Sequence, residues 1–486
     1  MDKPNIVLIT TDQQRFDTIA ALGNDTIFTP HLDWLTQQGV AFTRAYSDCP
    51  LCAPARQTIM TGQHASTHGM LDNWGVTPNG CPTLPGILTA AGYQTRAIGK
   101  MHFNPPRGHH GFEHMEITQD YFRYMARHFP HQRPIDHGIG GNEMAPALDT
   151  VPVSQTHTHW VVDRAMNFLE TRDNTRPFLL NIGFFDPHPP FDPHKDFWDL
   201  YDGIEMPEPV YGDWSQSLED VPQGYMEPTY WLNSVHRFSR KQLAASCRAY
   251  YASITQIDYK LGLLFGRLAE LGLMENTWII FVSDHGEMMG DHHMGAKVVF
   301  FEGSAHIPLL IRPPADTAEQ YLKLRGSQCA GLANLADIMP TCLSLAGAAP
   351  PGNVKLDGLN LLDMAEGKVS RPHLVGVGKF HMVHDGRYKY NFAGAGGSEL
   401  LFDLENDPLE QKNLAREPGE EDTLNRLRRI LYTQLEQQGH PAARDGQLIC
   451  VEEPRSEAEV RAHGAYPAFE TPAALLSIDP MPLTGA

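Results

Sequence analysis

The sequence has little cysteine and no excess of basic residues, and each shortage excludes a class of protein. Only 7 of its 486 residues are cysteine, an odd number scattered along the chain, which does not make a disulfide framework. Its 38 Lys and Arg face 58 Asp and Glu, for a formal net charge of −20. Nucleic acids and acidic membrane surfaces bind basic faces, so we expect neither as a partner.

Long apolar segments are also lacking. No run approaches the roughly 18 apolar residues of a transmembrane helix. The start, "MDKPNIVLITTDQQ", has no apolar signal-peptide region and is typical of a first strand. We therefore expect a cytoplasmic protein, or a periplasmic one if the N-terminus has been processed.

What the chain does contain is a repeated alternation of helix and strand. "HLDWLTQQGVAFTRAY", "TLPGILTAAGYQTRAIGK" and "LGLLFGRLAELGLMENTWIIFVSD" each predict a helix that ends near a glycine and leads into a strand. "NIVLIT" and "PFLLNIGFFDPH" predict two further buried strands. This alternation indicates an α/β fold.

Polar residues follow four of these strands. They are Asp12, Lys100, Asp186 to His188, and Asp284 with His285. Ligands of open α/β sheets bind at the carboxyl ends of the strands. We therefore expect these four stretches to meet at one edge of the sheet.

The sequence changes character after residue 370. "LVGVGKFHMVHDGRYKYNF" and "ELLFDLENDP" predict antiparallel strands with a tight turn at Asp385-Gly386, and "LNRLRRILYTQLEQQ" predicts an amphipathic helix. We predict an α/β domain over 1–370 and a C-terminal α+β subdomain over 371–486 with an antiparallel sheet, a helix and an extended tail. That tail, from about residue 438, would wrap the body or join a homo-oligomer.

Segments 104–160 and 190–240 are rich in Pro, Gly, His and aromatic residues. They predict long ordered loops over the site, or else plain surface connections.

A divalent cation site is one interpretation of the strand-end carboxylates. Asp12 is followed by Gln13, and Asp284-His285 opens the stretch "DHGE". Two carboxylates, an amide oxygen and a histidine suit Ca²⁺ or Mg²⁺. The alternative is that each aspartate caps the following helix. The pairing of the two stretches favours the metal.

Cys52 is open to several interpretations from composition alone. A lone cysteine is most often buried and inert. It could also be a nucleophile at a helix N-terminus. Cys49 and Cys52 form C-x-x-C, a redox or zinc pattern, although no second such pair follows.

A resemblance decides between these interpretations. "CAPAR" at 52–56, followed by "QTIMTGQ", resembles the signature of the sulfatase family. "NIVLITTDQQ", "GKMH" at 99–102, "DPHPPF" at 186–191 and "SDHGEMMGDHHMGAKVVFFEGSAHIPLLIRPP" resemble its other active-site elements, in the same order. "YKYNF" and "ELLFDLENDPLEQKNLA" resemble its C-terminal strands. The resemblance covers about 420 residues.

The resemblance implies an alkaline phosphatase-like fold, with a large central mixed, mostly parallel sheet flanked by helices. It implies that Cys52 is oxidised to formylglycine by a formylglycine-generating enzyme. One hydroxyl of the hydrated aldehyde would attack sulfur, and the other would then expel sulfate.

Residue roles also follow from the resemblance. The cation, Ca²⁺ with Mg²⁺ or Mn²⁺ as alternatives, would be held by Asp12, Gln13, Cys52, Asp284 and His285. Arg56 would orient the hydrated aldehyde, and His102 would act as the elimination base. Lys100 would contact the sulfate, whereas His188 and Lys297 would hold sulfate oxygens and assist the leaving group.

Two positions depart from the family pattern. Gln13 stands where many sulfatases have a second aspartate, which removes one negative charge from the site. Ala55 stands where a serine is often found between the signature Pro and Arg.

The resemblance favours a sulfuric ester hydrolase. The alternatives are a phosphonate or phosphate ester hydrolase of the same superfamily, and a non-catalytic protein that binds sulfated ligands. The alcohol could be a glycosaminoglycan-type sugar or an aryl group. Candidate contacts to that alcohol are His109, His110, Arg123, Arg127 and His137.

Overall fold

The computed structural model describes residues 3–75, 81–227, 235–352, 354–456 and 458–459. Its α-helices are α1 Pro30–Gln38, α2 Cys52–Thr61, α3 Ala65–His68, α4 Leu84–Ala90, α5 Thr118–His128, α6 His157–Thr171, α7 Lys195–Asp199, α8 Arg240–Glu270, α9 Glu302–Ala305, α10 Glu319–Leu322, α11 Ile338–Ala346, α12 Leu361–Ala365 and α13 Glu421–Gln437. Within these ranges no helix combines the length and the apolar character that a membrane span requires.

The strands form one large sheet and three smaller ones. They are β1 Asn5–Thr11, β2 Val40–Phe42, β3 Ala45–Tyr46, β4 Gln94–Gly99, β5 His114–Ile117, β6 Phe178–Gly183, β7 Thr277–Ser283, β8 Leu309–Arg312, β9 Ser327–Cys329, β10 Ala333–Asn334, β11 Leu374–Val377, β12 Phe380–His384, β13 Tyr388–Ala393, β14 Ser398–Asp403, β15 Ala443–Arg444 and β16 Gln447–Leu448.

The large sheet has eight strands in the order β5-β4-β6-β1-β7-β8-β2-β9. The five strands from β5 to β7 run parallel, and β8 is antiparallel to both of its neighbours. The predicted α/β fold with a mixed, mostly parallel sheet is therefore confirmed.

Helices cover both faces of this sheet because its central strands are apolar on both sides. In β1, Ile6 and Leu8 pack with α2, α4 and α11, whereas Val7 and Ile9 pack with α1, α6 and α8. Alternate side chains of a strand point to opposite faces, so one strand serves two cores. The sheet is thus held rigidly between two helical layers.

The four strands β11 to β14 form a separate antiparallel sheet, and the predicted turn at Asp385-Gly386 joins β12 to β13. One face packs on α13 through a leucine row, Leu424, Leu427, Leu431 and Leu435. The other face packs on the segment around α9 through Phe300, Phe301 and Phe402. The domain boundary at residue 370 stays a prediction.

The segments expected to be long loops contain regular structure. β5 and α5 lie within 104–160, and α7 lies within 190–240. The prediction of long loops was therefore wrong for the residues of these three elements. Residues 460–486, most of the predicted tail, lie outside the described residues, so the homo-oligomer through this tail stays a prediction.

Candidate active site

Four neighbouring parallel strands end at one edge of the large sheet. Thr11 at the end of β1 pairs with Ser283 at the end of β7, so Asp12 and Asp284 follow side by side. Gly183 at the end of β6 pairs with Gly99 at the end of β4. Lys100 and the stretch from Asp186 to His188 therefore lie beside them, at the edge that the sequence predicted.

A buried cluster of potential metal ligands occupies this edge. Ligand atoms of four residues lie within 4.8 Å of one another, namely those of Asp12, Cys52, Asp284 and His285. His285 Nδ1 lies 3.0 Å from the carbonyl oxygen of Gly286, which leaves Nε2 to face the cluster.

Gln13 lies beside this cluster in a left-handed conformation, with φ of 72°. Such a φ is uncommon for residues other than glycine and concentrates at functional sites. The backbone N–H of Gln13 donates to Asp284 Oδ1 at 3.1 Å, and its carbonyl oxygen accepts from the Tyr250 hydroxyl at 2.7 Å. These two bonds hold the residue in place.

Helix α2 begins at Cys52 and carries Arg56 one turn later. The Cys52 Sγ lies 3.2 Å from His285 Nε2 and 3.7 Å from Asp12 Oδ1. Arg56 donates to Asp284 Oδ2 at 2.8 Å and to Asp12 Oδ2 at 3.1 Å. Because Arg56 follows Cys52 by four residues, both side chains lie on one face of α2, and the guanidinium reaches the carboxylates of Asp12 and Asp284.

Lys100 and His102 approach from the end of β4. The Lys100 Nζ lies 2.8 Å from Asp12 Oδ2 and 4.5 Å from the centre of the Phe185 ring. His102 has φ of 55° and is among the groups that lower the pKa of the Cys52 thiol.

His188 and Lys297 close the site from the opposite side. The Lys297 Nζ lies 2.9 Å from His188 Nε2 and donates to Gln13 Oε1. Burial, Lys297 and Lys100 lower the pKa of His188 to about 4, so its ring is neutral near pH 7 and can accept from Lys297.

The electrostatics of the site favour anions at Cys52. Burial raises the pKa of this thiol, but Lys297, Lys100 and His285 outweigh burial and hold the pKa well below its usual value. A helix N-terminus adds a favourable dipole.

The same site can hold a divalent cation. Burial and the adjacent Asp12 carboxylate raise the pKa of Asp284 to about 6. Two buried carboxylates that face each other create a charge repulsion that a cation relieves. The ligand atoms of this cluster therefore fit the divalent cation that the sequence implied.

The predicted site residues thus lie together, whereas the candidate contacts to the alcohol have other partners. His137 Nε2 lies 2.9 Å from Asp192 Oδ2, and His109 bonds the backbone of Phe112. His110 packs on Phe103. Arg123 forms an ion pair on the surface of α5, where Arg127 is exposed.

Three further residues of the site were not assigned a role from the sequence. Phe185 covers Lys100, and Tyr250 holds the backbone of Gln13. Glu287 bonds the Gln13 side chain. The stretch "DHGE" carried a signal for Glu287, but nothing in the long helix α8 pointed to Tyr250.

Comparison with known proteins agrees with this geometry. The family model described as Sulfatase matches residues 4–348. The chain belongs to the sulfatase family. It is therefore an enzyme of the alkaline phosphatase superfamily. The family match supports the hydrolysis of sulfate esters as its activity.

Relatives with assigned names cover nearly the whole chain. An arylsulfatase of Clostridium perfringens is 34% identical over 465 residues, which are 89% of this chain and 95% of the relative. A choline-sulfatase of Rhizobium meliloti is 31% identical over 442 residues, 86% and 83% of the two chains.

A solved structure extends this similarity to the fold. The phosphonate monoester hydrolase of Agrobacterium radiobacter has a TM-score of 0.78 at 25% identity, and the match covers 90% of this chain and 96% of that one. A protein crystallised with its substrate D-glucosamine-2-N,6-O-disulfate has a TM-score of 0.71 at 20% identity, with 90% and 98% covered, which shows a shared fold.

Proposed function

We propose that this sulfatase hydrolyses sulfate monoesters of an aryl alcohol or of a sugar, through formylglycine at position 52 and a bound divalent cation. The observation that carries the proposal is the position of Cys52. It is the first residue of α2, 1% exposed, with its Sγ directed at Asp12 and His285. A group formed there would share the cluster with the cation.

The cation would be held by Asp12, Gln13, Asp284, His285 and residue 52, and we propose Ca²⁺, with Mg²⁺ or Mn²⁺ as alternatives. When bound, it would supply Lewis-acid activation of an oxygen at position 52. Hydrated formylglycine would supply two hydroxyls, one to attack sulfur and one to be deprotonated for the release of sulfate.

The cationic side chains of the site divide the remaining work. Arg56 spans both carboxylates from below, so it would orient the group at position 52. Lys100 and Lys297 both lower the pKa of the Cys52 thiol, and they would hold sulfate oxygens as negative charge develops in the transition state.

The two histidines would move protons. His102 helps to lower the pKa of the thiol at position 52 and would take the proton of the second hydroxyl. His188 is hydrogen-bonded to Lys297, so this pair would deliver a proton to the leaving alcohol.

Peptide mass analysis with matched variants tests this proposal. We expect active protein, made with a formylglycine-generating enzyme, to carry the aldehyde at position 52, and Cys52→Ala to lose activity. Cys49→Ala is the matched control, because Cys49 Sγ contacts the Leu71 carbonyl outside the cluster, and it should keep full activity. Active protein with an unmodified thiol would refute the mechanism.

Phosphonate ester hydrolysis is a second candidate, favoured by the structural similarity to a phosphonate monoester hydrolase. Rates on phenyl sulfate and phenyl phosphonate esters with one leaving group distinguish the two. We expect the sulfate ester to react faster, because Lys100 and His102 match the Lys-x-His element of sulfatases. Both residues act on the electrostatics of position 52.

The alcohol is best identified by a substrate panel. Aryl sulfates, sulfated glucosamine and choline sulfate represent the named relatives and the sugar complex. We expect an aryl sulfate or a sulfated sugar of glycosaminoglycan type to give the highest kcat/KM. The cytoplasmic location stays a prediction, which cell fractionation would test.

A further inference from the structure

The side chain of Gln13 is held from two sides. Its Nε2 donates to Glu287 Oε2, and its Oε1 accepts from the Lys297 Nζ. Gln13 and Glu287 are both fully buried. The amide therefore has a polar partner at each end and no water-exposed alternative.

Glu287 serves only as an acceptor among its described contacts. Its Oε1 accepts the backbone N–H of Met289 at 3.0 Å and that of Ala296 at 2.5 Å. Its Oε2 accepts the Gln13 amide. All three of these partners donate to the carboxyl group, so both of its oxygens are occupied as acceptors.

This arrangement selects one orientation of the Gln13 amide. The two ends of a glutamine amide exchange by a flip, and the hydrogen-bond network decides between them. Both oxygens of Glu287 accept N–H groups, so Glu287 bonds the NH₂ end of the Gln13 amide and the oxygen turns toward Lys297. In the flipped orientation the NH₂ group would oppose the Lys297 ammonium, and the oxygen would oppose a carboxylate.

Glu287 also adds a carboxyl group close to the cationic side chains of the site. Among the described side chains, the carboxylates of Asp12, Asp284 and Glu287 oppose three cationic groups, those of Arg56, Lys100 and Lys297. Gln13 lacks the charge of the aspartate that many sulfatases carry there. The carboxyl group of Glu287 lies behind Gln13 instead, bonded to the Gln13 side chain.

We infer that Glu287 is a positioning residue that directs the Gln13 oxygen toward Lys297 and the cation cluster. The inference deepens the proposed function, and its part concerning the cation rests on that proposal. Glu287 acts through Gln13 and does not itself touch substrate.

An exchange of the two residues tests this inference. Glu287→Gln alone places two amides together, so Gln13 flips or loses its bond. Gln13→Glu alone places two carboxylates together. The double variant Gln13→Glu with Glu287→Gln keeps each hydrogen bond with the charge on the other residue.

We expect Ca²⁺ affinity, measured by titration calorimetry on the metal-free proteins with Mg²⁺ and Mn²⁺ in parallel, to fall about tenfold or more in each single variant. The double variant should return to within a few-fold of the original affinity. In kinetics, kcat/KM should follow the same order. Glu410→Gln, a buried glutamate bonded to Lys389, is the matched control and should leave Ca²⁺ affinity unchanged.

The other outcomes overturn the positioning role alone, or the cation site together with it. Unchanged Ca²⁺ affinity in Glu287→Gln refutes the positioning role. So does a double variant no better than the singles, because a merely structural glutamate gains nothing from the exchange. If the original protein binds none of the three cations, the proposed cation site fails, and the positioning role fails with it.

Discussion

Lys389 Nζ lies 2.5 Å from Glu302 Oε1, a contact that joins the antiparallel sheet to the segment after Lys297. Lys389 is fully buried, and Glu410 lies 2.7 Å away on its other side. Burial lowers the pKa of Lys389, but the two glutamates outweigh burial and raise it. The charged Lys389 thus links the C-terminal sheet to the segment that also contains Lys297, one of the candidate catalytic residues.

Replacement of this lysine should destabilise the protein strongly. Lys389→Met leaves two buried carboxylates without their cation, and removal of one partner of a buried ion pair costs about 3–5 kcal/mol. Urea unfolding would measure the loss. Lys412→Met, at an exposed position after the same sheet, should change stability by less than about 0.5 kcal/mol. A loss below about 1 kcal/mol in Lys389→Met would contradict the prediction.

Substitution of Arg56 should reduce turnover even when the positive charge is kept. Arg56→Lys cannot reach Asp12, Asp284 and the Lys100 carbonyl together, as the guanidinium does. We expect kcat on an aryl sulfate to fall roughly 10²- to 10³-fold. Because Arg56 also belongs to the modification signature, mass analysis must first establish equal conversion of residue 52. Full activity in the converted variant would rule out this role.

Removal of the cation should lower both stability and activity. Dialysis against EDTA restores the repulsion between Asp12 and Asp284, whereas free Ca²⁺ at 100 times its Kd adds about 2.7 kcal/mol. We expect the Tm to fall and to recover on addition of CaCl₂. The Tm of Asp284→Asn should respond much less. A Tm unaffected by EDTA and by added cation would argue against the site.

The stability of the C-terminal subdomain should fall in mild acid. Burial lowers the pKa of His381 to about 3. Below pH 6.5 the unfolded chain binds a proton that the folded protein excludes, so this stability is complete above 6.5 and is lost as the pH falls toward 3. We expect His381 to account for about 1 kcal/mol between pH 7.5 and 5.5.

Urea unfolding of His381→Leu at both pH values checks this prediction. The variant should lose less stability than the original protein over that interval, whereas His128→Leu, on the exposed side of α5, should lose as much as the original. Equal pH dependence in all three proteins would refute the assignment to His381.

The sequence predicted best what depends on neighbouring residues. The apolar runs of β1 and β7, and the aspartates that follow them, sufficed to place Asp12 and Asp284 at one edge. A helix N-terminus at Cys52 was one of the interpretations of the sequence, and α2 begins at that residue. These features depend on local patterns that no distant contact overrides.

Other features depend on contacts between distant parts of the chain. The hydrogen bond between Gln13 and Glu287 joins residues 274 positions apart, so no spacing rule could reveal it. The position of Lys297 came from the family resemblance alone.

Helix α5 was missed because its eleven residues bury three side chains and follow a Pro- and Gly-rich segment, which favoured a loop.

The burial of Cys52 sets an order of events during biosynthesis. In the folded protein the thiol is 1% exposed, beneath residues that the ribosome adds much later. On the mechanism proposed above, an enzyme that converts residue 52 must therefore reach the signature while the nascent polypeptide is still unfolded. A molecule that folds with an unmodified Cys52 would keep the thiol, because the modifying enzyme could reach it only after unfolding.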